Sequence, residues 1–184
     1  MIIIGITGTL GAGKGTIVDY LIREKDFIHY SVRSYLLEKV RAAGMPLDRD
    51  SMVEVANSLR KEYGSSYITD QLYEKAVVSG KNCVIESIRS VGEIKSLRKN
   101  PGFVLIAVDA DPEIRYLRIK ERNSETDHIS YSKFLKNEQR EMQNTDEHKQ
   151  NISECIKRAD HLIKNNGSRE DLYRKVEKLM NKIM

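Results

Sequence analysis

The stretch "GITGTLGAGKGTIVDYL", residues 5–21, decides the fold. It continues an apolar, β-branched run, Ile2–Thr7, which reads as a short buried strand. After it come closely spaced glycines and a single lysine. Then Ile17, Val18, Leu21 and Ile22 share one face of a helix expected over 14–25. Strand, glycine-rich turn and helix in that order make an anion cradle. The glycines let the backbone curl until its N–H groups point inward. The helix start adds its dipole and its free N–H groups. Lys14 brings a mobile positive charge suited to the terminal phosphates of a nucleotide. Gly8, Gly11, Ala12, Gly13, Lys14, Gly15 and Thr16 are therefore candidate phosphate-binding residues. The usual pattern ends Gly-Lys-Ser/Thr. Here Gly15 follows Lys14 and Thr16 comes next, so the customary hydroxyl is displaced by one residue. Thr16 is expected at the α-phosphate, which leaves Mg²⁺ to water and a carboxylate.

Working outward, "FIHYSV" (27–32), "NCVIESI" (82–88), "GFVLIAVDA" (102–110) and "DHLIKN" (160–165) read as further strands. Helical stripes separate them. One runs over 34–44, ended by Gly44 with Pro46 just beyond. Another carries Met52, Val55, Ala56 and Leu59; the next carries Ile68, Leu72, Ala76 and Val77 and stops at Gly80. Helical pattern also fills 112–122 and 131–142. Leu172, Val176, Leu179 and Ile183 form a last stripe, expected to dock on the core. Strands alternating with helices imply parallel pairing, hence an α/β three-layer sandwich around a five-stranded parallel sheet. The segment of about 31–80 is helical and too long for a plain crossover. It is expected to be an insert on the rim of a single domain spanning 1–184.

Composition narrows the function classes. The chain has 184 residues, 40% of them hydrophobic and 32% charged, as in a helix-rich globular protein. A net charge of +4 suits small anionic molecules and is too mild to argue for nucleic acid. Cys83 and Cys155 form no close pair, which speaks against a metal site or a disulfide framework. The start "MIII" lacks the basic region of a signal peptide, and "FVLIAV" (103–108) is too short to span a membrane. A cytoplasmic protein without a membrane partner, monomeric or homodimeric, is expected. His29, His128, His148 and His161 show no ligand spacing and read as structural or solvent-facing.

The form "GAGKGT" resembles the glycine-rich loop of adenylate kinases, and the chain is similar to P-loop nucleoside monophosphate kinases over nearly its whole length. "VIESIRS" (84–90) looks like the strand-end segment of that family, in which an acidic residue works near Mg²⁺ and an arginine holds the acceptor's phosphate. The resemblance thus implies Glu86 near the metal, through water, and Arg89 on the acceptor. A planar guanidinium suits that task. Asp109, at the end of the fourth strand, lies on the same carboxyl edge and is a second metal candidate. "RYLRIKER" (115–122) matches the arginine pattern at the lid of nucleotide kinases and dephospho-coenzyme A kinase. Arg118 and Arg122 are implied to stabilise the phosphoryl group in flight, with Arg115 in reserve. A short lid is expected over about 122–133. "ADHLIKNNGS" (159–168) resembles a segment of dephospho-coenzyme A kinase and of an archaeal adenylate-kinase-like group. It implies that the Asn165–Ser168 loop, with Asn166 and Gly167 foremost, lies near the adenine of ATP.

The acceptor side departs from the family pattern. Where adenylate kinases carry an Asp and an Arg on the first insert helix, this chain has Ser34 and Leu37, with Arg33 adjacent as a substitute. "LRKEYG" (59–64) resembles the archaeal group and adds Arg60 as an acceptor candidate. The carboxylate that dephospho-coenzyme A kinase places after its second strand is absent from "HYSVRS". The expectation is a phosphotransferase using ATP and Mg²⁺ on a nucleotide-like acceptor, foremost a ribo- or deoxyribonucleoside monophosphate. The alternatives are a ribose-hydroxyl kinase of the dephospho-coenzyme A type, and an ATP-driven switch that binds protein or RNA.

Overall fold

The structure, a computed structural model, describes residues 1–123, 128–144 and 149–184. Its elements run β1 (Ile3–Gly8), α1 (Lys14–Lys25), β2 (Ile28–Ser31), α2 (Val32–Ala42), α3 (Arg49–Tyr63), α4 (Tyr67–Ser79) and β3 (Cys83–Glu86). Then follow α5 (Val91–Leu97), β4 (Phe103–Asp109), α6 (Pro112–Arg122), α7 (Tyr131–Met142), α8 (Ile152–Lys157), β5 (His161–Lys164) and α9 (Arg169–Ile183).

The strands form one parallel sheet in the order β2-β3-β1-β4-β5. β1 is central and buried along its whole length, which is why its sequence is a continuous apolar run rather than an alternating one. Two cores flank the sheet. On one face Ile4, Ile6, Val84 and Ile106 meet Ile17 and Leu21 of α1 and Leu172 and Val176 of α9. On the other, Ile3, Ile85 and Leu105 meet Val32, Leu36, Ala56, Ile68, Leu72 and Ile94 from α2 to α5, and Cys155 from α8. This is the expected three-layer α/β sandwich. Helices α2, α3 and α4 together fill the connection between β2 and β3.

Three details of the helices differ from the sequence reading. Ile22 and Val77 are 41% and 46% exposed, so the apolar faces of α1 and α4 are narrower than their stripes. α5 and α8 were not expected. α5 starts at a capping box, in which Ser90 and Glu93 each accept from the other's backbone N–H. α8 starts where the Asn151 side chain accepts from Glu154 N. Among the described residues, no helix is long and apolar enough to cross a membrane.

Candidate functional site

The carboxyl ends of β1 and β3 open into a cleft of about 800 Å³. Ligands bind along that edge in open α/β sheets. Its floor is the turn between β1 and α1. Gly8, Gly11 and Gly13 have φ of 134°, 80° and 99°, the left-handed region that glycine tolerates. Space is equally restrictive. A Cβ on Gly8 would lie 1.9 Å from the Val108 carbonyl oxygen, and one on Gly13 would lie 2.5 Å from Asn165 Nδ2. Gly15 differs, since a Cβ there meets nothing within 4 Å.

Neighbouring side chains hold the turn in place. Asn165 Nδ2 donates to the Ala12 carbonyl at 2.8 Å, and Arg115 Nη1 donates to the Leu10 carbonyl at 3.2 Å. Thr9 Oγ1 donates to Asp109 Oδ1 at 2.8 Å. Lys14 lies folded on the turn, with Nζ donating to the carbonyls of Gly8 (3.1 Å) and Thr9 (2.8 Å). Burial pushes its ammonium down to about 8, against the opposing pull of Glu86, with Arg89 and Arg49 adding to the fall.

Gly11, Gly13, Lys14, Gly15 and Thr16 line the cleft. Gly8 and Ala12 serve it through backbone carbonyls, Gly8 taking the Lys14 ammonium and Ala12 the Asn165 amide. Glu86 and Arg89 line the cleft as well. β3 ends abruptly between them, where Ser87 adopts φ 74° and the N–H groups of Ser87 and Ile88 converge on the Ile6 carbonyl. A left-handed serine costs on the order of 1 kcal/mol, and strain of this kind gathers at functional sites. Its hydroxyl donates to Glu86 Oε1 at 2.6 Å. The Glu86 carboxylate is a hard oxygen donor on the cleft and fits Mg²⁺ completed by phosphates and water.

Three expected residues stand elsewhere than the sequence implied. Asp109 does not line the cleft. Its carboxylate takes Thr9 Oγ1 and Lys164 Nζ (2.5 Å), and it pins the turn to the end of β5. Burial raises its pKa, but those hydrogen bonds outweigh burial and leave the carboxyl below its ordinary value. Within the loop expected near the adenine, Asn165 and Ser168 line the cleft, whereas Asn166 turns its Oδ1 to the Asp111 N–H and Gly167 offers its carbonyl to Arg118. Arg60 reaches the acceptor end, lining a small cavity with Arg33, Arg49 and Arg89, but it is fully buried and pairs with Glu93 at 2.9 Å. Glu93 also accepts the backbone N–H groups of Arg89 and Ser90, so Arg60 braces the segment that carries Arg89.

Of the lid arginines, Arg118 and Arg122 line the cleft and Arg115 does not. Arg118 Nη1 donates to the Asn165 carbonyl at 2.8 Å and Nη2 to that of Gly167 at 3.0 Å. That places it on the loop expected near adenine. Arg115 is buried under Phe134 and pairs with Glu138 at 2.7 Å. Residues 124–127, in the middle of the expected lid, lie outside the described residues, as does His148. His29 lines the cleft, where burial lowers its pKa.

The acceptor end contains residues that sequence reasoning missed. Arg49, at the first turn of α3, lines the cleft beside Arg33 and Arg89. Glu141 of α7 takes both Arg49 (2.6 Å) and Arg89 (2.7 Å), and Gln150 accepts from Arg89 at 3.2 Å. An arginine at a helix start and a glutamate in a polar helix give no sequence signal, since both read as solvated.

Known proteins show the same architecture. A UPF0200 protein of Methanocaldococcus jannaschii is 28% identical over 192 aligned residues, which cover 100% of this chain and 91% of that one. The crystal structure of TT1252 from Thermus thermophilus superposes with a TM-score of 0.65 at 23% identity, covering 100% of this chain and 98% of that one. Shikimate kinase from Bacteroides thetaiotaomicron superposes with a TM-score of 0.60 at 12% identity over 98% of both chains. The family model described as an AAA domain matches residues 4–146. With its glycine-rich turn and five-stranded parallel sheet, the chain belongs to that family and has the fold of a P-loop kinase-like NTPase.

Proposed function

We propose that this protein transfers the γ-phosphoryl group of ATP to an acceptor that carries its own phosphate, foremost a ribo- or deoxyribonucleoside monophosphate. One observation carries the reading. A single cleft runs from the glycine-rich turn and Lys14, past Glu86, to Arg33, Arg49 and Arg89. A donor phosphate chain and an anionic acceptor can meet in it with Glu86 between them.

The roles follow from position. Lys14 leaves the carbonyls of Gly8 and Thr9 for the terminal phosphates, a stronger anionic partner. Arg122 and Lys14 stabilise the transferred group, while Arg118 keeps the Asn165–Gly167 loop against the adenine. Glu86, oriented by Ser87, would hold Mg²⁺ through water, with Thr16 at the α-phosphate. When bound, Mg²⁺ neutralises phosphate charge. Arg89 and Arg49, with Arg33, anchor the acceptor. Arg60 acts through Glu93 on the backbone of Arg89.

ADP release from ATP and Mg²⁺ against all nucleoside monophosphates, then dephospho-coenzyme A and shikimate, tests this. One monophosphate is expected to stimulate release strongly. Stimulation by dephospho-coenzyme A or shikimate instead would move the acceptor chemistry to a hydroxyl. No stimulation by any compound, with ATP still bound, would favour an ATP-driven switch.

A further inference from the structure

The arginines at the acceptor end already hold an anion, and it belongs to the chain itself. Glu141 Oε1 accepts from Arg49 Nε (3.0 Å) and Nη2 (2.6 Å), and Oε2 accepts from Arg49 Nη2 (2.7 Å) and Arg89 Nη1 (2.7 Å). This forked arrangement is how arginine grips a free carboxylate or phosphate. The Glu141 side chain is only 4% exposed, so this is no rim contact.

Glu141 occupies an unfavourable position on its own helix. It lies in the last turn of α7, where the helix dipole disfavours negative charge. Its place is explained by the arginines it meets across the cleft, 92 and 52 residues away in sequence. Charge around it is unbalanced. Two guanidiniums share one carboxylate, and Arg33 lines the same small cavity of about 50 Å³. A phosphate monoester, with close to two negative charges, balances two half-buried arginines better than one carboxylate does. α7 also reaches α3 through exposed charges, with Arg140 pairing with Asp50 at 2.9 Å. Such contacts hold a helix weakly.

We propose that Arg49 and Arg89 form an anion subsite for a phosphate monoester, and that Glu141 is its built-in occupant, displaced when the phosphate arrives. The assignment of that phosphate to the acceptor rests on the kinase reading above; the exchange of one anion for another does not. Filling the subsite then frees the C-terminal end of α7. An empty enzyme keeps its acceptor arginines neutralised and gives up Glu141 only to a stronger anion.

Calorimetric titration of inorganic phosphate into the wild type, E141Q and the double variant E141Q/R49M tests the exchange. Any phosphate taken by the glycine-rich turn contributes alike to all three. E141Q is expected to bind phosphate on the order of tenfold more tightly than the wild type, with the gain lost in E141Q/R49M. Acetate should show a smaller gain. No gain in E141Q, or a gain that survives R49M, would overturn the proposal. If E141Q does not fold, hydrogen exchange on the wild type decides. Saturating phosphate should raise amide exchange in α7, and R49M should abolish that response; unchanged exchange overturns the proposal. Failure of the kinase reading looks different, because no acceptor would then stimulate ADP release although the phosphate gain persists.

Discussion

The two ends of the cleft are built on different principles. The ATP end is local and backbone-made. Seven candidate residues lie within nine consecutive positions, and carbonyls and N–H groups do the shaping. The acceptor end is distributed and made of side-chain charge. Its arginines come from α2, α3 and the turn after β3, and its counter-charge comes from α7. A local cradle forms wherever a strand, a glycine-rich turn and a helix follow each other. A distributed cluster exists only once the sheet and the helical connection are assembled. The first end should therefore tolerate little backbone change but report locally, and the second should couple chemistry to stability.

The sharpest break between the ends is expected from Lys14→Ala. Turnover in ADP release should fall by roughly 10²–10³-fold, since a charge aimed at the transferred group is lost. The melting temperature should not fall, because the removed amine is buried at a cost. Full turnover would remove the turn from the mechanism.

At the other end, Arg60→Met should destabilise the protein by about 3–5 kcal/mol, read from urea unfolding, because Glu93 would stay buried without its cation. A shift below about 1 kcal/mol would show that the acceptor end is not coupled to the core.

The protonation of Lys14 gives a test without mutation. Burial holds the ammonium at about 8, against 10.5 in the unfolded chain. Between those values the unfolded chain binds the extra proton, so stability should rise with pH across that window, by up to about 3 kcal/mol. Below pH 8 both states are protonated and the full cost of burying the charge remains. Lys14→Met should flatten the rise. ATP phosphates favour the charged amine, so ATP affinity should fall as pH climbs above 8. A flat stability profile would mean that the amine is not desolvated.

Arg49→Ala and Arg89→Ala should each raise the acceptor KM by about tenfold or more and leave the ATP KM within about twofold. Equal effects on both would erase the division of the cleft.

The smallest effect is expected from Gly15→Ser. The position has room for a side chain, lies in α1, and would regain the hydroxyl at its customary place. Stability should rise by about 0.5 kcal/mol and the Mg²⁺ requirement should drop modestly. A loss of ATP binding would mean that the nucleotide itself occupies the open space at position 15.

Much of this was legible in the chain, and what was not has physical causes. The three inner strands, β3, β1 and β4, stand out because each is a short apolar run buried in a parallel sheet, whereas the edge strands β2 and β5 carry mixed, partly exposed residues. α5 escaped notice although "SVGE" (90–93) carries a capping box, because its seven residues are too few for a periodic stripe. Arg60 and Asp109 were picked out by residue type and position, but type alone cannot tell a cation facing a ligand from one facing Glu93, or a carboxylate facing Mg²⁺ from one facing Lys164. Ser87 gave no hint of its φ of 74°, since only the convergence of two N–H groups on Ile6 imposes it.

The sequence by itself determined the layers of the sandwich, the phosphate cradle and the lysine in it. Those rest on local backbone geometry and on apolar periodicity, both of which operate over a few residues. Tertiary structure alone decided which charges face the cleft. It brought Glu141 to Arg49 and Arg89, sent Arg60 into the core, and turned Arg118 onto the loop of Asn165. The reason is that an ion pair is a choice among many possible partners. Only burial, by removing water as the competing partner, selects one of them.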